Sequence, residues 1–262
     1  VLEHPIQKLL NFFKKRVLVK MKIAIIGTGY VGLVTGASFA SRGHDVICVD
    51  VIPEKVELIN HGKSPIYEEG LDELLQELVP LGKLRATLNF SQAVKDSEII
   101  FICVGTPSLP DGSMSYEYVM DAAENIGKAI QGCDDYKVIV VKSTCIPGTT
   151  VNLVGPIIEK ASGKTVGKDF GLGMNPEFLR EGVALKDFLE PDRIVIGAID
   201  ERSYEVIKRC YEGFPAPILH TDPSAAEMIK YASNSFLALK ISFINEIANL
   251  CEKLGIDVKD VA

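Results

Sequence analysis

Lys22-Ile-Ala-Ile-Ile-Gly27-Thr-Gly29-Tyr-Val-Gly32 opens the interpretable part of the chain, and His44-Asp-Val-Ile-Cys-Val-Asp50 completes its first unit. The apolar run Ile23–Ile26 has strand length and stops at a glycine. Gly27, Gly29 and Gly32 fall in the pattern G-x-G-x-x-G, and Asp50 follows Gly32 by 18 residues at the end of a second apolar run, Val46–Val49. Each glycine has a physical task. Gly27 permits a tight turn, Gly29 lets a pyrophosphate approach the backbone, and Gly32 lets a new helix pack close to its strand. The pyrophosphate then meets the free N–H groups and positive dipole end of that helix. Asp50 is placed to accept hydrogen bonds from a ribose diol, and its charge repels a 2′-phosphate, which favours NAD over NADP. The fold expected is α/β, a Rossmann-type, doubly wound and mostly parallel sheet.

Outward from this unit, strand-like and helix-like segments alternate to about Asp200, as βαβ units require. Pro53 starts a helix through Asn60, and Leu71–Val79 is a second, with Leu71, Leu74, Leu75 and Leu78 on one face. A short strand is expected at 85–88 and a buried one at Glu98–Val104, ending in Gly105-Thr106-Pro107. Tyr116–Ile130 reads as helix and Lys137–Val141 as strand, ending in Lys142-Ser143-Thr144. Ligands of such sheets lie outside the carboxyl ends of the strands, so the turns at Gly27, Asp50, Gly105 and Lys142 are expected to share one crevice. Further strands are read at Phe170–Gly173, Ile194–Gly197 and Pro217–Leu219, around a polar, turn-rich segment, Asn175-Pro-Glu-Phe-Leu-Arg-Glu-Gly182. From Pro223 to Gly255 runs one helical pattern without internal proline, capped by Thr221 or Asp222. Its apolar residues, Phe236, Leu237, Leu239, Ile241, Phe243, Ile244, Ile247 and Leu250, point to more than one side, which suits a domain bridge or a homodimer interface. The domains expected are an extension at 1–20, a cofactor domain at 21–220 and a central helical, dimerising region at 221–262. A further helix is expected to start at Val258–Val261.

The 262 residues carry a net charge of −7, with 47% hydrophobic and 24% charged residues. The overall charge does not attract nucleic acid or an anionic membrane, and no apolar run reaches the roughly 18 residues of a membrane span. Cys48, Cys103, Cys133, Cys145, Cys210 and Cys251 are scattered without C-x-x-C, which suits reduced thiols in a cytoplasmic protein. His4, His44, His61 and His220 are equally dispersed, so no metal site is expected. Residues 1–20 are basic with interleaved apolar side chains and read as an appendage to the fold.

Seven motifs in order then carry a resemblance: Gly27–Leu33, Ser64–Leu71, Val104–Pro107 with Asp111-Gly112, Lys142–Thr149, Asn175–Gly182, Pro191–Gly197 and Ala226–Asn234. Together they make Met21–Ala262 similar to the UDP-glucose/GDP-mannose dehydrogenase family. The resemblance implies oxidation of a nucleotide-sugar primary alcohol to a carboxylate by two NAD-dependent steps, through a cysteine thiohemiacetal and thioester. It implies catalytic roles for Thr144, which positions water, Glu177, which assists hydrolysis, Lys230, beside the reacting oxygen, and Asn234, a neutral donor one turn on. It implies a cofactor set of Gly27, Gly29, Tyr30, Val31, Gly32, Asp50, Lys55, Gly105, Thr106, Thr144 and Glu181. Taken without the resemblance, Glu177 reads more often as a turn or cap carboxylate and Lys230 as a solvated helix lysine. Cys145 and Glu69 depart from the family's usual residues. The glycine-rich segment with the family's nucleophilic cysteine does not occur, and Cys251 does not match it, so this chain is expected to bind NAD without completing turnover. The Arg-Glu-Gly182 and Pro-Asp-Arg193 segments resemble the UDP-glucose branch, with GDP-mannose as the close alternative. A non-catalytic NAD-binding or dimerisation module is the alternative from a different class. A 3-hydroxyacyl or 6-phosphogluconate type of dehydrogenase shares the sheet and long helix, but the Asn-Pro-Glu and Lys-Ser-Thr segments speak against it.

Overall fold

A computed structural model describes residues 20–262; the basic extension, apart from Lys20, lies outside the described residues. β1 (Lys22–Ile26), β2 (Asp45–Val49), β3 (Leu84–Thr87), β4 (Ile99–Ile102), β5 (Lys137–Val141), β6 (Phe170–Met174), β7 (Ile194–Ala198) and β8 (Ile218–Thr221) form one sheet of order β3-β2-β1-β4-β5-β6-β7-β8. Every pairing is parallel except β6 with β7, which meet antiparallel through only Gly173↔Ala198 and Met174↔Gly197. Order reverses between β1 and β4, so the expected doubly wound sheet forms, and its crevice opens there.

Both faces of the sheet are covered, which explains the continuous apolar strands. Ile23 and Ile25 enter one core with Phe39 and Phe101, while Ala24 and Ile26 enter the other with Ile126 and Ile158. The helices are α1 (Tyr30–Ser41), α2 (Pro53–Asn60), α3 (Leu71–Leu78), α4 (Phe90–Asp96), α5 (Glu117–Ile130), α6 (Gly155–Ser162), α7 (Ala184–Leu189), α8 (Glu201–Cys210) and α9 (Pro223–Leu254). A π-type turn, Thr150–Val154, leads into α6. α3 stops one residue before the expected Val79, β3 spans Leu84–Thr87, and Val258–Asp260 forms one 3₁₀ turn where a new helix was expected. Such short-range boundaries are set by the last hydrogen bonds available, which periodicity does not fix.

α9 runs 32 residues, about 48 Å at 1.5 Å per residue. Asp222 caps it, its Oδ1 accepting from the Ala225 N–H at 2.9 Å, and Gly255 ends it in the left-handed conformation. Its first turns are buried: a side chain at Gly197 of β7 would meet Ala226 Cβ and Pro223 Cα at 2.7 Å, so the glycine lets α9 press on the sheet. Beyond Lys230 the helix leaves the sheet, and Phe236 and Phe243 are 62% and 63% exposed. No described helix is long and apolar enough to cross a membrane.

Candidate active site

The glycine loop has the geometry that its sequence implies. Gly27 sits at φ 96°, and a Cβ there would lie 2.9 Å from the Cys103 carbonyl at the end of β4. A Cβ on Gly32 would sit 1.9 Å from the Gly27 carbonyl, a hard clash, so α1 can start this close to β1 only with glycine. At Gly29 nothing lies within 4 Å of the same position, which leaves the backbone open to a ligand. No side chain caps the N-terminus of α1, so its free N–H groups remain for an anion.

Asp50 folds back on this loop. Its Oδ2 accepts from the Thr28 N–H at 2.9 Å and from the Thr28 hydroxyl, and its Oδ1 accepts from the Ile52 N–H at 3.1 Å. Lys55 Nζ stands 3.8 Å away. Burial works against the Asp50 charge, but these donors and Lys55 outweigh it and hold the carboxyl below its usual range. A pyrophosphate cradle with an ionised acid on its ribose side fits a dinucleotide without a 2′-phosphate.

Tyr30, the first residue of α1, ties the loop to the turn after β6. Its hydroxyl donates to Glu68 and accepts from the Gly182 N–H at 2.6 Å, while Glu68 also accepts from Gly182 N at 3.1 Å and Leu185 N at 3.1 Å. Burial first, then Glu68, push the Tyr30 hydroxyl up to about 12, so it remains a donor. The Glu68 carboxylate thereby secures the start of α7, and with it the segment containing Glu177 and Glu181.

Thr106, Thr144 and Glu177 follow the carboxyl ends of three adjacent strands, β4, β5 and β6. The Thr106 hydroxyl donates to the Thr144 carbonyl at 3.0 Å, which joins the first two turns. Glu177 Oε1 pairs with Lys230 Nζ at 2.8 Å, with side-chain exposures of 13% and 6%, and its Oε2 accepts from the Leu179 N–H at 2.6 Å. The turn role and the paired role of Glu177 therefore coexist, and Lys230 is a buried cation and not a solvated one. Glu177, Lys230 and Asn234 line one cavity of about 500 Å³, walled also by Phe178, Arg180 and Arg193. The Arg193 guanidinium lies 4.5 Å over the Phe178 ring and donates to the Ser233 hydroxyl at 3.2 Å. The glycine loop, Asp50, Lys55, Gly105, Thr106 and Thr144 are outside the lining of this cavity. The glycine loop and this cavity are thus two distinct compartments at the carboxyl ends of the strands.

Sequence reasoning gave no role to Lys142, Asn175 or Tyr211. Lys142 is buried, and its Nζ donates to Asn175 Oδ1 at 2.9 Å and lies 3.5 Å from the Tyr211 hydroxyl. Tyr211 donates to the same Asn175 oxygen, and Asn175 Nδ2 donates to Val195 O at 2.8 Å. This hub fixes the residue two before Glu177. Burial chiefly, with Lys230 in the same direction and Cys103 and Glu177 opposing, brings the Lys142 ammonium down to about 8. The one signal in the sequence was a lysine directly after the apolar run Val138–Val141, where solvent is remote. The described residues contain no cluster able to hold a metal ion.

A dinucleotide loop in a doubly wound sheet continued by one long helix defines the class: a dinucleotide-binding protein of Rossmann type. Residues 21–215 match the NAD binding domain of the UDP-glucose/GDP-mannose dehydrogenase family and residues 224–262 match its central domain, so the chain belongs to that family. NAD is accordingly the cofactor of this domain. A GDP-mannose 6-dehydrogenase of Pseudomonas syringae pv. tomato is 46% identical over 241 residues, 92% of this chain and 55% of that protein. A UDP-glucose 6-dehydrogenase of Bacillus subtilis is 45% identical over 242 residues, 92% of this chain and 54% of that protein. Among solved structures, a ternary complex of GDP-mannose dehydrogenase from Pseudomonas aeruginosa superposes with a TM-score of 0.91 at 46% identity, covering 92% of this chain and 55% of the other. A UDP-glucose dehydrogenase from Pyrobaculum islandicum gives 0.90 at 44% identity, covering 94% and 56%. The chain therefore spans about half the length of the relatives it matches.

Proposed function

We propose that the full-length protein oxidises the primary alcohol of a nucleotide sugar to the uronic acid, consuming two NAD and one water, with UDP-glucose as substrate and UDP-glucuronate as product. The observation that carries this reading is the buried Glu177–Lys230 pair in the wall of a cavity beside a dinucleotide loop. Bound NAD supplies the hydride acceptor. Lys230 donates to the reacting oxygen and stabilises its negative charge as it develops, in a site where few waters screen it. Asn234, four residues on along the same helix face, adds a neutral donor. The Thr144 hydroxyl and the Asn234 amide make no hydrogen bond to another described residue, so both are available to substrate or water. Glu177 and Thr144 orient the water that hydrolyses the acyl intermediate. No residue of this chain matches the family's nucleophilic cysteine, so these residues by themselves are expected to bind NAD without turnover.

GDP-mannose is the second reading, favoured by the 46% identity to GDP-mannose 6-dehydrogenases. The exposed apolar side of α9, with Phe236, Leu239 and Phe243, supports pairing of two chains along this helix. Among the described residues the six cysteines are free, which supports a cytoplasmic setting. The test is a panel of UDP- and GDP-sugars with the full-length protein, counting NADH per sugar. Two NADH per UDP-glucose are expected. One NADH per sugar overturns the four-electron reaction, and turnover confined to GDP-mannose overturns the choice of sugar.

A further inference from the structure

Glu227 is a fully buried carboxylate on α9, at 0% exposure, three residues before Lys230 and seven before Asn234. No described lysine, arginine or histidine forms an ion pair with it. A buried charge of this kind persists only when donors replace the lost water. All of its donors come from one segment, the turn that follows Thr144. Oε1 accepts from the Thr150 N–H at 2.7 Å, the Thr150 hydroxyl at 2.6 Å and the Cys145 thiol at 3.4 Å, and Oε2 accepts from the Gly148 N–H at 2.5 Å. Gly148 holds φ 93°, the left-handed conformation that turns its N–H inward.

Part of this is helix capping, since Thr150 begins the π-type turn before α6 and a carboxylate there meets the positive end of the dipole. Capping alone does not account for the anchor's place. A cap can come from the local chain, whereas this one comes from a residue 77 positions away, on the helix that holds Lys230 and Asn234. The donors also include the residue next to Thr144. The Thr144 carbonyl is held from the opposite side by Thr106, and the Ile146 N–H by the Tyr116 hydroxyl at 2.9 Å. The Thr144 segment is thus fixed between the β4 turn, α5 and α9.

We propose that Glu227 is a positioning residue for the reaction: it locks the Thr144 turn to α9 so that the Thr144 hydroxyl, the Lys230 ammonium and the Asn234 amide face one reacting centre. The inference rests on the roles given above to those three residues. A carboxylate suits the task because it accepts on both oxygens, whereas an amide presents one oxygen and one NH₂. In Glu227→Gln the NH₂ group must oppose either the Gly148 or the Thr150 N–H, so the turn is released on one side while the side-chain volume is kept.

The experiment compares Glu227→Gln with the parent in the full-length protein by hydrogen exchange, thermal unfolding and steady-state kinetics. Exchange of the segment 146–152 is expected to rise about tenfold with β1 and β5 unchanged, as a local opening requires. Turnover is expected to fall at least about tenfold while KM for NAD and sugar stays within about threefold, because an interaction expressed in the transition state is lost. Should Glu227→Gln fail to fold, Thr150→Val removes the hydroxyl donor alone, and the same pattern is expected at about threefold. Unchanged exchange at 146–152, or faster exchange throughout the sheet, overturns the anchor. Loosened exchange with unchanged turnover overturns the positioning role. If the unmodified protein oxidises no nucleotide sugar, the proposed reaction falls, and the positioning role falls with it, while the exchange arm still decides whether Glu227 holds the turn.

Discussion

The two compartments of the crevice are built from different material. The dinucleotide side is made of backbone: free amides at the start of α1, a glycine at φ 96°, and open space at Gly29, with one carboxylate 18 residues downstream of Gly32. The second compartment is made of side chains from distant positions: Glu177 and Lys230 are 53 residues apart and meet at 2.8 Å. A backbone site needs absence of side chains and tolerates little addition. A side-chain site needs buried charges and fails when one partner is taken away. Substitutions should therefore act by opposite routes in the two compartments.

The largest effect is expected at the pair. In the full-length protein, Glu177→Gln should lower turnover about 10² to 10³-fold and cost about 3 kcal/mol of stability, because the Lys230 ammonium is left buried without its partner. The double variant Glu177→Gln/Lys230→Met should recover stability in urea titrations but not turnover. Recovered turnover would show that the pair is only structural. Next, Gly32→Ala should weaken NAD binding at least about a hundredfold and also lower Tm, since its Cβ would lie 1.9 Å from the Gly27 carbonyl. Gly29→Ala should weaken NAD binding while leaving Tm unchanged, because nothing crowds its Cβ. Calorimetric NAD titration together with thermal unfolding checks both, and equal losses of Tm in the two variants would break the contrast.

Lys142 provides a pH test. Its folded value is brought down to about 8 from an ordinary value of 10.5. A lysine lowered in the fold is charged in both states below about pH 8, where the burial penalty is fully present. Between about 8 and 10.5 the unfolded chain holds the proton that the folded chain has released, so stability rises with pH. The rise is expected to approach about 2 to 3 kcal/mol. Lys142→Met should flatten it in urea unfolding between pH 7.5 and pH 10, and an unchanged slope would assign the effect elsewhere. The smallest effect is expected at Asp50→Asn: about tenfold weaker NAD binding and a reduced preference over NADP, since one charge of a partly exposed site is removed. An unaltered NAD-to-NADP ratio would remove Asp50 from cofactor choice.

The contrast between compartments also explains what could be read in advance. The glycine loop, the apolar strands and α9 with its Asp222 cap are local patterns, set by φ, by spacing and by a period of 2 or 3.6. Residues 22–50 were legible for this reason, and so was the turn after each strand. The antiparallel β6–β7 contact was not legible, because it depends on how the 175–193 segment turns back. The hub of Lys142, Asn175 and Tyr211 was not legible either, since its members lie up to 69 residues apart and each is ordinary in its own segment. Nothing in the residues next to Glu227 marks it as buried; the sheet and the Thr144 turn packed against it decide that.

The sequence by itself determined a mostly parallel doubly wound sheet, an NAD-type loop with Asp50, and a long helix following the sheet, because steric and periodic constraints act between near neighbours. Only the tertiary structure decided which charges are buried. It paired Glu177 with Lys230, gave Lys142 an amide and a phenol in place of a carboxylate, and set Glu227 against the Thr144 turn. The physical reason is that the cost of removing a charge from water, and the donors that offset it, depend on the residues brought around that charge from the rest of the fold and not on its neighbours in the chain.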